Sequence, residues 1–116
     1  MGTNLIQEKT FRFSVTIIKL YKTLINNKEY VLSKQLFRSG TSIGANVEEA
    51  LGSSSKRDFI AKLTISRKEC RETRYWLRLL KETEIGGHLN VESELNEVEQ
   101  ILRILYSIIR TSQSKL

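Results

Sequence analysis

A chain of 116 residues with 19 Lys and Arg, 13 Asp and Glu and no proline has room for one compact domain over residues 1–116, and its Leu-, Ile-, Glu-, Lys- and Arg-rich composition predicts helices rather than short strands joined by Pro/Gly turns. The single cysteine, Cys70, excludes an intrachain disulfide and a Cys-based zinc site within one chain, which suits a reducing cytoplasm. The net charge of +6 points to anionic partners, whereas the N-terminal "MGTNLIQEKTFRFS" matches neither a signal peptide nor a myristoylation site and no uncharged run approaches a bilayer span, so no membrane association is expected.

From roughly Asn4 to Asn26, Phe13, Ile17, Leu20, Tyr21, Leu24 and Ile25 share one side of a 3.6-residue wheel, with Arg12, Thr16, Lys19 and Thr23 opposite. This predicts an amphipathic first helix. "NNKEYVLS" supplies a short connection ending in Ser33, an expected N-cap for the second helix. The next stretch, "RSGTSIGANVEEALGSSSKRDF" (residues 38–59), has the glycines and serines of a phosphate-cradling loop. It matches neither G-x-x-x-x-G-K-[ST] nor G-x-G-x-x-G, and no strand precedes it.

On a helical wheel, Leu36, Gly40, Ile43, Gly44, Val47, Ala50 and Leu51 gather within an arc of about 120°. That periodicity predicts helix. Two mid-helix glycines are unfavourable by about 1 kcal/mol each against alanine, so on an apolar face they indicate unusually close approach of a neighbouring helix. Gly52 to Ser55 reads as the following turn, and Ser55 with Asp58 resembles a capping box that starts a third helix reaching about Thr83. "EIGGHLN" breaks the chain again, and Asn90 is placed to cap a fourth helix running to about Thr111. Only Met1 to Thr3 and Ser112 to Leu116 look frayed. Short connections make the four helices antiparallel neighbours, an all-α up-and-down four-helix bundle.

Several apolar arcs are wider than one bundle needs. In the fourth helix Leu95, Val98, Ile101, Leu102, Ile104, Leu105, Ile108 and Ile109 cover about 180°. In the third, Phe59, Leu63, Cys70 and Leu77 form one stripe, and Ile65, Trp76 and Leu80 form another. The excess predicts a homo-oligomer, with Trp76 the aromatic to watch, unless loops or long Lys and Arg stems cover it.

Charge is segregated on the same third helix, since residues 56–85 carry nine basic and five acidic groups. Lys56, Arg67, Arg71, Arg74, Arg78 and Lys81 fall within an arc of about 80°, with Asp58, Glu69 and Glu72 on the other side. Stacking Arg67 on Arg71 and Arg74 on Arg78 is unfavourable by a few tenths of a kcal/mol per pair. Phosphates of RNA or DNA would offset this. The plainer alternatives are a solvated face or pairing with the acidic start of the fourth helix. Glu69 falls between the two apolar stripes and needs a partner if buried, with Arg38 or Asn46 the candidates. Arg38, Ser42, Asn46, Glu49 and Glu69 are therefore expected to form a structural polar network.

Catalytic signals are thin. His88 is the only histidine and stands in the Gly-rich turn, Cys70 lies on an apolar stripe, and no Glu-x-x-His pair occurs. No catalytic residue, metal site or cofactor is expected, and the chain is read as no enzyme.

The stretch "LSKQLFRSGTSIGANVEEALGSSSKRDFIAKLTISRKECRETRYWLRLL" closely resembles the bacterial four-helix-bundle proteins first noticed as products of intervening sequences in 23S ribosomal RNA genes, often labelled S23. The match is strongest from Tyr30 to Leu80. It is carried by Gln35, Arg38, Ser39, Ser42, Ile43, Ala45, Asn46 and Glu49, then Phe59 and Glu72. Many relatives have Pro where Gly44 stands, and Ala-Glu-Gly where Glu48, Glu49 and Ala50 stand.

The resemblance implies a bundle assembled into a ring, typically a pentamer. A similar protein, the accessory variability determinant of diversity-generating retroelements, is a basic pentamer that works with a reverse transcriptase and nucleic acid. A gene's location inside an rRNA gene is not ribosomal function. The expected function is thus a non-enzymatic oligomeric bundle that binds RNA or DNA through the third-helix ridge. The alternative is a protein-interaction scaffold, or an accessory subunit to a protein partner such as a reverse transcriptase, without direct nucleic-acid contact.

Overall fold

The computed structural model describes residues 2–116, with side chains from residue 5 onward. Four α-helices follow in order: α1 Gly2–Asn26, α2 Leu32–Leu51, α3 Lys56–Thr83 and α4 Glu92–Gln113. They form an all-α up-and-down bundle. Each helix packs against the next and α4 returns to α1, so that among the described residues α1 and α3 are diagonal to one another, as are α2 and α4. The body measures 46 × 20 × 20 Å, its length set by α3, whose rise of 1.5 Å per residue makes it about 42 Å long. α1 begins at Gly2, so Gly2 and Thr3 are helical where fraying was expected, and Met1 lies outside the described residues. α4 runs on through Ser112 to Gln113.

The glycines of α2 do what their place on the apolar face predicts. Gly40 and Gly44 are buried against α1. A methyl group on Gly40 would come within 2.8 Å of Ile17 Cγ2, and one on Gly44 within 3.1 Å of the Thr10 carbonyl oxygen. On the opposite flank, α2 meets α3 through small polar residues. The Ser39 and Thr73 hydroxyls lie 2.8 Å apart, and Ser66 Oγ donates to the Ile43 carbonyl at 2.8 Å. With their hydroxyls paired, these buried residues bring α3 close to α2 without stranding a polar atom.

Ser33 is not the N-cap of α2. The helix begins one residue earlier, and its first-turn donors are taken by Glu29, which is only 5% exposed. Glu29 Oε2 accepts from the Val31 and Leu32 N–H groups at 2.9 and 3.0 Å, and Oε1 from Ser33 N–H at 2.6 Å. Ser33 turns its hydroxyl back to donate to the Glu29 carbonyl at 2.8 Å. A carboxylate three residues ahead of the helix therefore satisfies the donors that a serine cap would have met, and its charge suits the positive end of the helix dipole. Ser55 does cap α3, accepting from Asp58 N–H at 3.0 Å. At α4 the flanking residue is Val91, while Asn90 Oδ1 accepts from Glu92 N–H at 3.0 Å. Asn27 Nδ2 donates to the Gly86 carbonyl at 2.8 Å, tying the α1–α2 and α3–α4 connections together at one end of the bundle.

The wide arc of α4 is largely consumed inside the chain. Val98, Ile101, Leu102, Leu105 and Ile109 are buried, and Leu95, Ile104 and Ile108 pack partly against the core. Of the second α3 stripe, Leu80 is buried, Trp76 is half-buried and Ile65 is exposed. The most exposed aromatic side chain among the described residues lies elsewhere: Phe11 of α1 is 63% exposed, with Val15 one turn on. No described helix is long and apolar enough to cross a membrane.

Candidate nucleic-acid interface

The Ser55 cap fixes where α3 starts, and core burial of Leu63, Cys70 and Leu77 fixes its rotation. The six ridge residues then divide into two sets. Those nearest α4 are engaged by it. Arg74 Nη1 meets Glu99 Oε2 at 3.2 Å, Lys81 Nζ meets Glu92 Oε2 at 2.6 Å, and the Arg67 guanidinium sits 4.8 Å from the centre of the Tyr106 ring. The hydrogen bond to Glu92, followed by the charge of Glu92, raises the Lys81 pKa. Lys56, Arg71 and Arg78 are exposed, and among the described residues no carboxylate lies within ion-pair distance of them. Pairing with the acidic start of the fourth helix, one of the plainer alternatives, therefore takes part of the ridge and leaves part.

Two residues that the ridge did not include complete the exposed set. Lys68, Arg71, Tyr75 and Arg78 stand at i, i+3, i+7 and i+10, a spacing that puts them on one outer face of α3. With Arg74 and Glu72 they line a surface depression of about 480 Å3. The signal was in the sequence as basic residues interleaved with an aromatic at helical spacing, slightly outside the arc chosen for charge alone. A second depression of about 360 Å3 lies where α3 meets the C-terminal half of α4, lined by Arg67, Tyr106, Ile109, Arg110 and Gln113.

On the α2–α3 flank, Arg38 bridges two carboxylates. Its Nη1 donates to Glu69 Oε1 at 3.1 Å and its Nη2 donates to Glu72 Oε2 and, at 3.3 Å, to Gln35 Oε1. Trp76 Nε1 donates to the same Glu72 oxygen at 3.0 Å. Thus Glu69 finds Arg38, and the cluster extends to Gln35, Glu72 and Trp76. Asn46 stands apart, its Nδ2 donating to the Ser42 carbonyl at 2.9 Å. Ser42 contributes that backbone oxygen, and Glu49 is exposed with only its own carbonyl engaged, by Ser53. The cluster is a set of paired charges holding α2 on α3 and anchoring an indole.

Cys70 is buried with its thiol donating to the Val98 carbonyl at 3.4 Å, and desolvation pushes its pKa up to about 12, partly opposed by the nearby Arg74 charge. Such a thiol packs as a small apolar side chain and is a poor nucleophile. His88 is exposed, with Nδ1 2.8 Å from Glu84 Oε2. No group of three or more His, Cys, Asp or Glu that could hold a metal occurs among the described residues.

The sequence model of a family described as 23S rRNA-intervening sequence protein matches residues 3–107. Among solved structures, a protein of unknown function from the S23 ribosomal protein family of Bacteroides thetaiotaomicron VPI-5482 is 47% identical, superposes with a TM-score of 0.90, and shares 95% of this chain and 99% of its own. No curated protein matches the chain.

Proposed function

The chain belongs to the 23S rRNA-intervening sequence protein family, and from that premise we propose that it is a non-enzymatic, homo-oligomeric helical bundle that binds the phosphate backbone of RNA or DNA through the outer face of α3. The observation that carries this reading is the exposure of Lys68, Arg71 and Arg78 beside one another with no carboxylate partner among the described residues. Clustering like charges on one helix face is unfavourable in isolation. A polyanion reverses the sign of that cost, and releasing its counterions supplies affinity. From Lys68 to Arg78 the helix rises about 15 Å, over which one strand of a duplex carries about four phosphates. Point charges on a helix exterior contact backbone rather than base edges, so binding is weak and independent of sequence.

Arg71→Glu with Arg78→Glu is the cleanest test, because both side chains are exposed and neither makes an ion pair among the described residues. Anisotropy of a fluorescein-labelled RNA strand at about 0.1 M salt is expected to report a loss of affinity of at least about tenfold. Unchanged affinity would refute the reading. The alternative, a protein-interaction scaffold, would keep its partners after nuclease treatment.

Exposed Phe11 and Val15 on α1 support association of copies, and the family resemblance implies a pentameric ring. α1 is diagonal to α3, so contacts through α1 leave the basic face open. Light scattering at micromolar concentration is expected to give an oligomer, and a monomer would refute this part. The single buried cysteine is consistent with a reducing, cytoplasmic setting.

A further inference from the structure

We propose that the α3 face prefers single-stranded nucleic acid, with Tyr75 as the stacking platform for an unpaired base; this rests on the reading of that face as a phosphate-binding surface. Tyr75 is 53% exposed although it belongs to a helix with a well-formed apolar side. It stands one turn beyond Arg71 and one turn before Arg78, and all three line the same depression.

Its ring is also supported from behind. Tyr75 meets Trp76 edge to face, with ring centres 5.3 Å apart at 63°, and this geometry leaves a Tyr75 face toward solvent. Trp76 in turn is packed against the core and held through its Nε1 by Glu72, which Arg38 pairs. The Arg38 cluster therefore positions the platform at two removes. An aromatic ring with cations on both sides along a helix is the chemistry that holds a single strand: phosphates meet the charges while a base covers the ring. A base pair inside a duplex cannot offer its face, so the ring contributes nothing there.

The arrangement recurs near the far end of the face. Tyr106 is 44% exposed, Arg67 lies against its ring, and Arg110 lines the same depression. Positions 67 and 75 are separated by about 12 Å along α3, so the two tyrosines stand along one basic track. At Tyr106 a guanidinium already occupies one face, and a base would stack on the other or on the guanidinium plane itself.

The test compares Tyr75→Ala, Tyr75→Phe and the Arg71→Glu/Arg78→Glu protein on two fluorescein-labelled probes, an unstructured oligo(U) strand and an RNA duplex of the same length. Light scattering of each variant runs in parallel. Tyr75→Ala is expected to weaken oligo(U) binding about tenfold and duplex binding by less than about twofold. Tyr75→Phe should retain wild-type affinity, with the oligomer unchanged throughout. Equal loss on both probes, no loss on either, or a changed oligomer in Tyr75→Ala overturns the stacking role, while charge reversal that still abolishes binding leaves the phosphate reading intact. If charge reversal changes neither probe, the phosphate reading itself fails and the stacking proposal with it.

Discussion

Replacing Gly40 by alanine is expected to destabilise the bundle by about 1–2 kcal/mol, against the helix propensity of the new residue. Alanine gains about 1 kcal/mol over glycine in a helix interior. The added methyl, however, would stand 2.8 and 2.9 Å from Ile17 Cγ2 and Cγ1 and 3.2 Å from Ile17 Cβ. Ile17 is fully buried and β-branched, so neither a rotamer change nor a retreat into solvent relieves the contact, and overpacking of this kind costs about 1–3 kcal/mol. A leucine at position 40 has nowhere to go and should cost about 4 kcal/mol or more.

Urea denaturation measures both, as a lower midpoint with an unchanged slope. The cause is separable. Ile17→Ala alone leaves a cavity and is destabilising by about 2–5 kcal/mol, but combined with Gly40→Ala the loss should fall clearly short of the sum. Additive losses would mean that Gly40 matters for a reason other than the approach of α1.

Glu29→Ala is expected to cost about 2–3 kcal/mol, from a buried carboxylate that lies outside every helix. The substitution removes the acceptor that three N–H groups at the start of α2 share among the described residues. Val31 is exposed and water can meet its N–H, but Ser33 is buried and its N–H would be left unpaired. A lost cap alone is worth about 0.5–2 kcal/mol, and the stranded buried donor adds to it. Glu29→Gln keeps one acceptor oxygen and turns an amide N–H toward donors, so its loss should be intermediate. Amide exchange at residues 31–33 should accelerate more than elsewhere in the protein. Equal stability of Glu29→Ala and the natural protein would show that water can replace the carboxylate at all three positions.

These two residues also show why one feature could be read in the sequence and the other could not. Gly40 and Gly44 recur on the apolar arc of a single helix, and a wheel needs nothing beyond that helix to see that something comes close there. Glu29 acts through a turn: its carboxylate folds forward over residues 30–33, where cap rules look for Ser, Thr, Asp or Asn immediately before the helix, and Ser33 stood ready to mislead. The same limit governs the candidate interface. The wheel showed that Arg67, Arg71, Arg74, Arg78 and Lys81 share a side of α3, because that follows from spacing along one helix. It could not show that Glu99, Tyr106 and Glu92 of α4 would take Arg74, Arg67 and Lys81, because that depends on how far α4 slides past α3. Tyr75 was missed because a wheel drawn for charge ignores an aromatic on the polar side. The α4 arc shows the same limit: the wheel gives its width, whereas how much of it α1 and α3 cover, with Leu95, Ile104 and Ile108 only partly buried, depends on the packing.

What remains after α4 has taken its share is a small basic face with a tyrosine in it, on the side of the bundle away from the exposed apolar residues of α1. The ionic-strength dependence of binding to a labelled single strand, measured from about 50 to 200 mM salt, tests whether that face holds phosphates. Contacts from Lys56, Lys68, Arg71 and Arg78 predict that log Kd rises linearly with log salt with a slope of about 3, falling to about 1–2 in Arg71→Glu/Arg78→Glu. Binding that ignores salt, or a slope that the double variant leaves unchanged, would contradict it.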